Sequence, residues 1–241
     1  MGEMGPRGPG PSEKTMAEEP PQRFSLSLDG CPRMNTNHVQ AIVFDLGGVM
    51  IDVDLGRTIA RWSAASGLPI EQIAEFCRTN TLYQRLERGE MSIRRYYQHV
   101  IDQLGRPMTF EDFLVGWNDI LGPVLPGVET LVETLARSLR LACLTNTTAA
   151  HAEAWRVSCA SLLRHFERVF CSHEITARKP DAEAFHRVLA DLALPADRVV
   201  FIDDCRENVD AAIAVGMQGI QAAGAEETRA GLQRIGLDLQ L

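Results

Sequence analysis

The chain has 241 residues, 45% of them apolar, which is enough for one sizeable core or for a core with a smaller appended domain. Its 24 basic and 32 acidic side chains give a net charge of −8, and this argues against a nucleic-acid binder, because a phosphate backbone selects basic surfaces. No apolar run approaches the ~20 residues that cross a bilayer and the N-terminus lacks the apolar stretch of a secretory signal. A cytoplasmic protein with no membrane contact is expected, working on a small molecule or a protein partner. The sequence leaves the oligomeric state open. Cys31, Cys77, Cys143, Cys159, Cys171 and Cys205 are widely spaced without a C-x-x-C pair, so they are read as reduced thiols.

Residues 1–37 hold six of the twelve prolines and no sustained apolar periodicity, which predicts a disordered tail; Met34 is an alternative start. Order begins at Gln40-Ala41-Ile42-Val43-Phe44-Asp45, a short run apolar on both faces and followed by Gly47-Gly48, as in a central parallel strand with a sharp exit turn. Residues 54–122 carry helical patterns over Thr58–Ser66, Ile70–Arg78, Ile93–Leu104 and Phe110–Ile120, with no convincing strand. They predict an inserted helical subdomain whose small core is built by Trp62, Tyr83, Tyr96, Tyr97 and Trp117, unless a lid over a site at the strand ends takes one or two of them. Further on, Leu141–Leu144 and Val199–Ile202 repeat the strand pattern and end in Thr145-Asn146 and Asp203-Asp204. Helices are predicted over Val128–Leu139, Ala149–Arg164, Asp181–Leu192 and Glu207–Val215. Strands alternating with helices indicate an open, mostly parallel α/β sheet formed by 38–53 and 123–241, in which ligands bind at the carboxyl ends of the strands.

Lysine usage is informative. Every basic residue is Arg except Lys14, in the tail, and Lys179, in Ala177-Arg178-Lys179-Pro180. Taken alone, Lys179 is equally a surface lysine beside a helix start or a compact ammonium required at a site. In chain order, however, the strand ends supply Asp45, Thr145-Asn146, Lys179 and Asp203-Asp204. Three converging carboxylates would repel, and such clusters recruit a hard cation such as Mg²⁺. A hydroxyl, an amide and an ammonium opposite them suit phosphate oxygens, as does a helix N-terminus after Thr147-Thr148.

These motifs resemble those of the haloacid dehalogenase-like (HAD) superfamily. Phe44-Asp45-Leu46-Gly47-Gly48-Val49 is similar to its first motif, Leu144-Thr145-Asn146-Thr147 to its second, Arg178-Lys179-Pro180 to its third, and Phe201-Ile202-Asp203-Asp204 with Asn208 to its fourth. The resemblance implies a Rossmann-like core with an inserted helical cap, and a phosphomonoester hydrolase acting on a small phosphorylated metabolite. It implies Asp45 as nucleophile, phosphate binding by Thr145, Asn146 and Lys179, and Mg²⁺ on Asp45, the Gly47 carbonyl and Asp204, with Asp203 acting through water. The closest branch is that of bacterial sugar-1-phosphate phosphatases and the phosphatase domain of soluble epoxide hydrolases. The stretch Glu87-Arg88-Gly89-Glu90-Met91-Ser92 is also similar, which implies Arg88 as a substrate contact.

Two positions depart from the pattern. Thr176 stands where relatives often have Gly. Gly47 stands where most phosphatases of the family carry a second Asp, the acid that protonates the leaving oxygen, worth ~10²–10⁴-fold. A sugar 1-phosphate, whose leaving group needs little protonation, is therefore the favoured substrate. The alternatives are a 2-haloacid dehalogenase, which the acidic Asp203-Asp204 pair opposes, and a non-catalytic protein binding a phosphorylated ligand or a partner. Asp52, Asp54, His173 and Glu174 lie near enough in sequence to enter the site, though structural roles are expected for them and for Arg57.

Overall fold

The structure is a computed structural model that describes residues 1, 2 and 39–237. The tail expected over 1–37, with Lys14, Cys31 and Met34, lies outside the described residues save for its first two. The chain divides into two units, Met1–Pro32 and Arg33–Leu241, and the fold described is that of the second.

The chain enters through β1 (Ala41–Phe44) and β2 (Ile51–Val53), then runs through five helices: α1 (Leu55–Ser66), α2 (Ile70–Thr79), α3 (Tyr83–Glu87), α4 (Ile93–Leu104) and α5 (Phe110–Asn118). Next come β3 (Leu121–Val124), α6 (Val128–Leu135), β4 (Arg140–Thr145), α7 (Ala149–Ser158), α8 (Ala160–Leu163), β5 (Arg168–Cys171) and α9 (Ser172–Ile175). The last elements are α10 (Ala182–Leu192), β6 (Val199–Asp203), α11 (Arg206–Ala214), β7 (Gln218–Gln221) and α12 (Gly224–Arg234).

Five strands form a parallel sheet in the order β5-β4-β1-β6-β7, so the chain leaves β1 toward one edge and returns to β1's other side at β6. β1 shows why: its four residues are all buried, and alternate side chains serve opposite faces. Ile42 and Phe44 enter a core completed by Val128, Leu131, Val132 and Leu135 of α6, Trp155 of α7 and Leu232 of α12. Ala41 and Val43 enter the other core, with Phe185, Val188 and Leu192 of α10 and Ala212 of α11. The sheet is thus sandwiched between two helical layers, the open α/β architecture expected. None of the described helices is long and apolar enough to cross a membrane.

Between β2 and β3 the chain forms its own aromatic cluster. Trp62 stacks on Phe113 and Trp117 at centroid distances of 5.1 and 6.1 Å, and its indole N–H donates to the Phe113 carbonyl at 3.1 Å. Gly116 allows that approach, since a Cβ there would lie 2.4 Å from Trp62 Cδ1. β2 and β3 pair antiparallel as a two-stranded ribbon at the base of this insert. Arg57 braces the ribbon by donating to the carbonyls of Asp119 and Ile120 and pairing with Asp52, each at 2.8 Å.

The structure departs from the sequence-based elements at several points. β3, Leu-Gly-Pro-Val, straddles the boundary expected at residue 122 where no strand is predicted, yet a two-stranded ribbon accommodates Pro123 because it has free edges. The edge strands β5 and β7 were not anticipated, since Gln-Gly-Ile-Gln has only one buried residue to signal a strand. The helix expected over Ala149–Arg164 breaks at Cys159 into α7 and α8. Those expected over Val128–Leu139 and Phe110–Ile120 end at Leu135 and Asn118.

Candidate active site

Asp45 is the first residue beyond β1, and its N–H donates to the Ile202 carbonyl of β6 at 2.8 Å, which fixes where its side chain begins. The turn that follows returns through Gly48 N–H to the Ile51 carbonyl at 2.9 Å. The conformationally special glycine here is Gly48, with φ +74°, where a Cβ would lie 2.4 Å from Asp204 Oδ2. Gly47 is outside the left-handed region, and a Cβ there would meet Val53 Cγ2 at 3.0 Å.

Asp203, the last residue of β6, is fully buried and spent on four contacts. Its Oδ1 accepts from the Cys205 N–H at 2.8 Å and Asn208 Nδ2 at 3.0 Å, and its Oδ2 from Lys179 Nζ at 2.6 Å and Asn208 Nδ2 at 3.1 Å. Lys179, only 1% exposed, also reaches Asp45 Oδ1 at 2.7 Å. Its backbone is clamped by Asn146, whose Oδ1 accepts the Lys179 N–H at 2.8 Å while Nδ2 donates to the Lys179 carbonyl at 2.9 Å. Ser172, which sequence reasoning did not single out, ties the neighbouring loop down by accepting the Thr147 N–H at 2.9 Å and donating to the Thr147 carbonyl at 3.1 Å.

Charge follows from this burial. Desolvation pushes the Asp45 carboxyl up, the Lys179 ammonium opposes it, and Asp203 adds to the rise. Desolvation alone would lower Lys179, but Asp45 and Asp203 outweigh it and hold the ammonium above its ordinary value. Asp204 is raised by burial and by Asp203. One ligand oxygen from each of Asp45, Asp203 and Asp204 lies within 4.8 Å of the others, so three carboxylates face one ammonium. That excess, together with the Gly48 cradle against Asp204, fits a hard cation held by oxygen ligands. With Asp203 already saturated, Asp45 and Asp204 are the carboxylates suited to direct ligation.

A cavity of about 240 Å³ opens in front of Asp45. Leu46, Gly47, Thr145, Asn146, Lys179 and Asn208 line it from the sheet side, and Val53, Glu87, Ile120 and Leu121 from the ribbon and insert. The structure therefore brings Asp45, Gly47, Thr145, Asn146 and Lys179 to one wall, with the Asp203 and Asp204 carboxylates close behind. Arg88 is not on that wall; it pairs with Asp181 at 3.1 Å. Its neighbour Glu87 is, held by Arg178 at 2.8 Å, with burial raising its pKa against the pull of Arg178. His151 also lines the cavity; it stacks on Trp117 at 4.8 Å and sits 3.0 Å from the Trp117 carbonyl through Nε2. Burial lowers its pKa to about 4, so the ring is neutral and Nε2 carries the proton toward that carbonyl. His151 carried no sequence signal, whereas Glu87 stood in the stretch that resembles the family's cap but was passed over there for Arg88. Asp52 is engaged by Arg57, Asp54 caps α1 by accepting the Gly56 N–H at 2.8 Å, and His173 and Glu174 are off the wall.

Residues 39–216 match the profile of the haloacid dehalogenase-like hydrolases. The chain belongs to that family. A D-ribitol-5-phosphate phosphatase from Bacteroides thetaiotaomicron is 22% identical to this hydrolase over 197 residues, 79% of this chain and 95% of the relative. A sesquiterpene phosphatase from Aspergillus oryzae is 25% identical over 191 residues, 75% of this chain and 88% of the relative. A HAD family enzyme from Bacteroides thetaiotaomicron, solved in complex with magnesium and inorganic phosphate, superposes with a TM-score of 0.69 at 22% identity, covering 78% of this chain and 96% of the other. Thr176, the departure noted in the sequence, adopts φ 52°, a left-handed conformation that explains a preference for Gly at that point of the loop.

Proposed function

We propose that this hydrolase cleaves phosphate monoesters of a small metabolite through an aspartyl-phosphate on Asp45, with Mg²⁺ held by Asp45, the Gly47 carbonyl and Asp204. The observation that carries the reading is the buried Lys179 ammonium bridging Asp45 and Asp203 at the wall of a cavity with Thr145 on it. Lys179 holds one Asp45 oxygen, leaving the other to attack phosphorus. The bond from phosphorus to the leaving oxygen breaks, and that oxygen takes the electron pair and then a proton. Water then attacks the phosphorus of the aspartyl-phosphate, releasing inorganic phosphate and restoring the Asp45 carboxylate. Thr145 and Lys179 bind the phosphoryl oxygens, while Asn146 acts mainly by clamping the Lys179 backbone. The cation, when bound, neutralises charge on the phosphoryl oxygens.

With Gly47 in place of the second Asp, the carboxyl group on the wall besides Asp45 is Glu87, and its position there is what recommends it as the group that exchanges a proton with the leaving oxygen. The relatives' names range from a polyol phosphate to a sesquiterpene, so they support phosphate-ester hydrolysis without selecting an alcohol. The sugar 1-phosphate expected from Gly47 rests on leaving-group chemistry alone.

The test is phosphate release from a panel of monoesters by the full chain in Mg²⁺ and in EDTA, beside Asp45→Asn and with 2-chloropropionate as a control. Release that needs Mg²⁺ and Asp45 is expected. Full activity in EDTA or in Asp45→Asn refutes the assignment, and chloride release without phosphate release favours the dehalogenase. No turnover, with ligand binding that survives Asp45→Asn, favours a binding protein.

A further inference from the structure

A second cavity, of about 260 Å³, adjoins the one around Asp45 and shares Glu87, Ile120 and His151 with it. The rest of its wall comes chiefly from the insert: Trp62, Tyr83, Tyr96 and Trp117, with Leu55 and Cys77. Glu87 is the one charged side chain on this wall, and Arg178 already holds it. Hydroxyls are few. Thr148 Oγ1 is occupied by the His151 N–H and the Trp117 indole, whereas Thr58 Oγ1 is buried with no hydrogen-bond partner.

Size and polarity constrain what fits. An apolar cavity of ~150 Å³ holds a benzene ring, so about 260 Å³ takes a ring with a short linker. A sugar or polyol brings a hydroxyl on nearly every carbon, and each one buried against Trp62, Tyr96 or Trp117 without a partner is penalised. A flat apolar group instead gains contact with these aromatic faces. We infer that this second cavity takes the organic part of the substrate, which is the phosphate monoester of a ring-sized, predominantly apolar alcohol. The inference rests on the phosphatase reading and replaces the sugar 1-phosphate expected from Gly47.

Leaving-group chemistry must be held constant in the test. Glucose 6-phosphate, ribitol 5-phosphate and 2-phenylethyl phosphate all carry phosphate on a primary carbon, so differences among them report on the pocket. The full chain in Mg²⁺ should prefer 2-phenylethyl phosphate by at least ~10-fold in kcat/KM. Leu55, the first residue of α1 and 45% exposed, tolerates a polar replacement, and Leu55→Asn should reduce that preference about threefold. Melting temperature is followed in parallel, with Cys77→Ser as the second variant should the first fail to fold. Equal or better turnover of glucose 6-phosphate or ribitol 5-phosphate overturns the cavity assignment and leaves the phosphatase reading standing. So does a preference that survives both substitutions. Release from other panel monoesters but from none of these three overturns the cavity assignment alone, and release from no monoester at all overturns both readings together.

Discussion

Lys179→Met tests whether a buried cation holds the acidic cluster together. Met keeps the aliphatic volume under Phe201, whose ring centroid lies 5.5 Å from Nζ, and removes only the charge and its hydrogen bonds. In the intact protein the ammonium is 2.7 Å from Asp45 and 2.6 Å from Asp203, and none of the three side chains is more than 13% exposed. Without it, carboxylates whose oxygens lie within 4.8 Å face each other with no counter-charge. At an effective dielectric of ~20, two unit charges at that separation repel by roughly 3 kcal/mol. Removing one partner of a buried pair costs about 3–5 kcal/mol in general, so the two routes agree.

For a unit of this size, 1 kcal/mol moves the melting temperature by ~2–4 °C, and the loss should be about 6–20 °C at pH 8 in EDTA. Urea unfolding should show a lower midpoint at unchanged slope. Lys179→Arg keeps the charge but forces a larger planar group into a filled space, costing ~1–3 kcal/mol and most of the activity. If Lys179→Met melts within about 2 °C of the wild type, the cation is not what stabilises the carboxylates, and the account of the site's electrostatics is wrong.

His151, lowered to about 4 by burial, is protonated more readily in the unfolded chain, so its contribution is lost as pH falls from ~6.5 toward 4. Because the ring is partly open to the cavity, the loss should be about 2–3 kcal/mol, and urea midpoints at pH 7 and pH 4.5 should show it shrink in His151→Phe, which keeps the stack on Trp117. Thr176→Gly should stabilise the protein by ~0.5–1 kcal/mol, because it relieves a β-branched residue at φ 52° and loses only a 3.2 Å contact from Arg187; a lower melting temperature would contradict this. Glu87→Gln should cost at least ~10-fold in kcat/KM for primary alkyl phosphates and far less for aryl phosphates, and equal losses on both would remove Glu87 as proton donor.

The candidate catalytic face was legible in sequence because its residues sit where strands end. Asp45, Thr145 and Asp203-Asp204 each close an apolar run, and parallel sheets align such ends in space. Lys179 was legible for another reason: a chain that otherwise uses Arg placed one Lys in its folded part, and the structure buries it between two acids. Asn146 lies on the cavity wall, but its carboxamide serves the Lys179 backbone. What sequence could not show was phase. α3 has only five residues, too few for a periodicity to say whether Glu87 or Arg88 faces the cavity, and one step along a helix turns the side chain by ~100°. The aromatic residues read as a small core do pack in one cluster, with Tyr83 and Tyr97 only partly buried, and Trp62, Tyr83, Tyr96 and Trp117 wall a cavity as a lid would. Composition alone does not distinguish a filled core from a lined one.

The placement of Glu87 links the two halves of the site. It lies on the wall of both cavities, and its partner Arg178 immediately precedes Lys179. A second pair, Arg88 to Asp181, spans from the residue just after that short helix to the residue just before α10. The exposed Arg88 pair is worth little by itself, but the Glu87–Arg178 pair is 13–15% exposed and less screened. Gly89 brings the backbones close at the same seam, since a Cβ there would lie 2.5 Å from the His173 carbonyl oxygen. An organic group filling the aromatic cavity therefore presses on the one carboxylate that is tied to the loop holding Lys179. Binding energy from the part of the substrate remote from phosphorus can thus reach the reacting centre through a single ion pair, which is how such energy raises kcat rather than only lowering KM. On this argument Glu87→Gln should also blunt the discrimination between ring-bearing and polyol esters, whereas a change at Arg88, which lines neither cavity, should leave it intact.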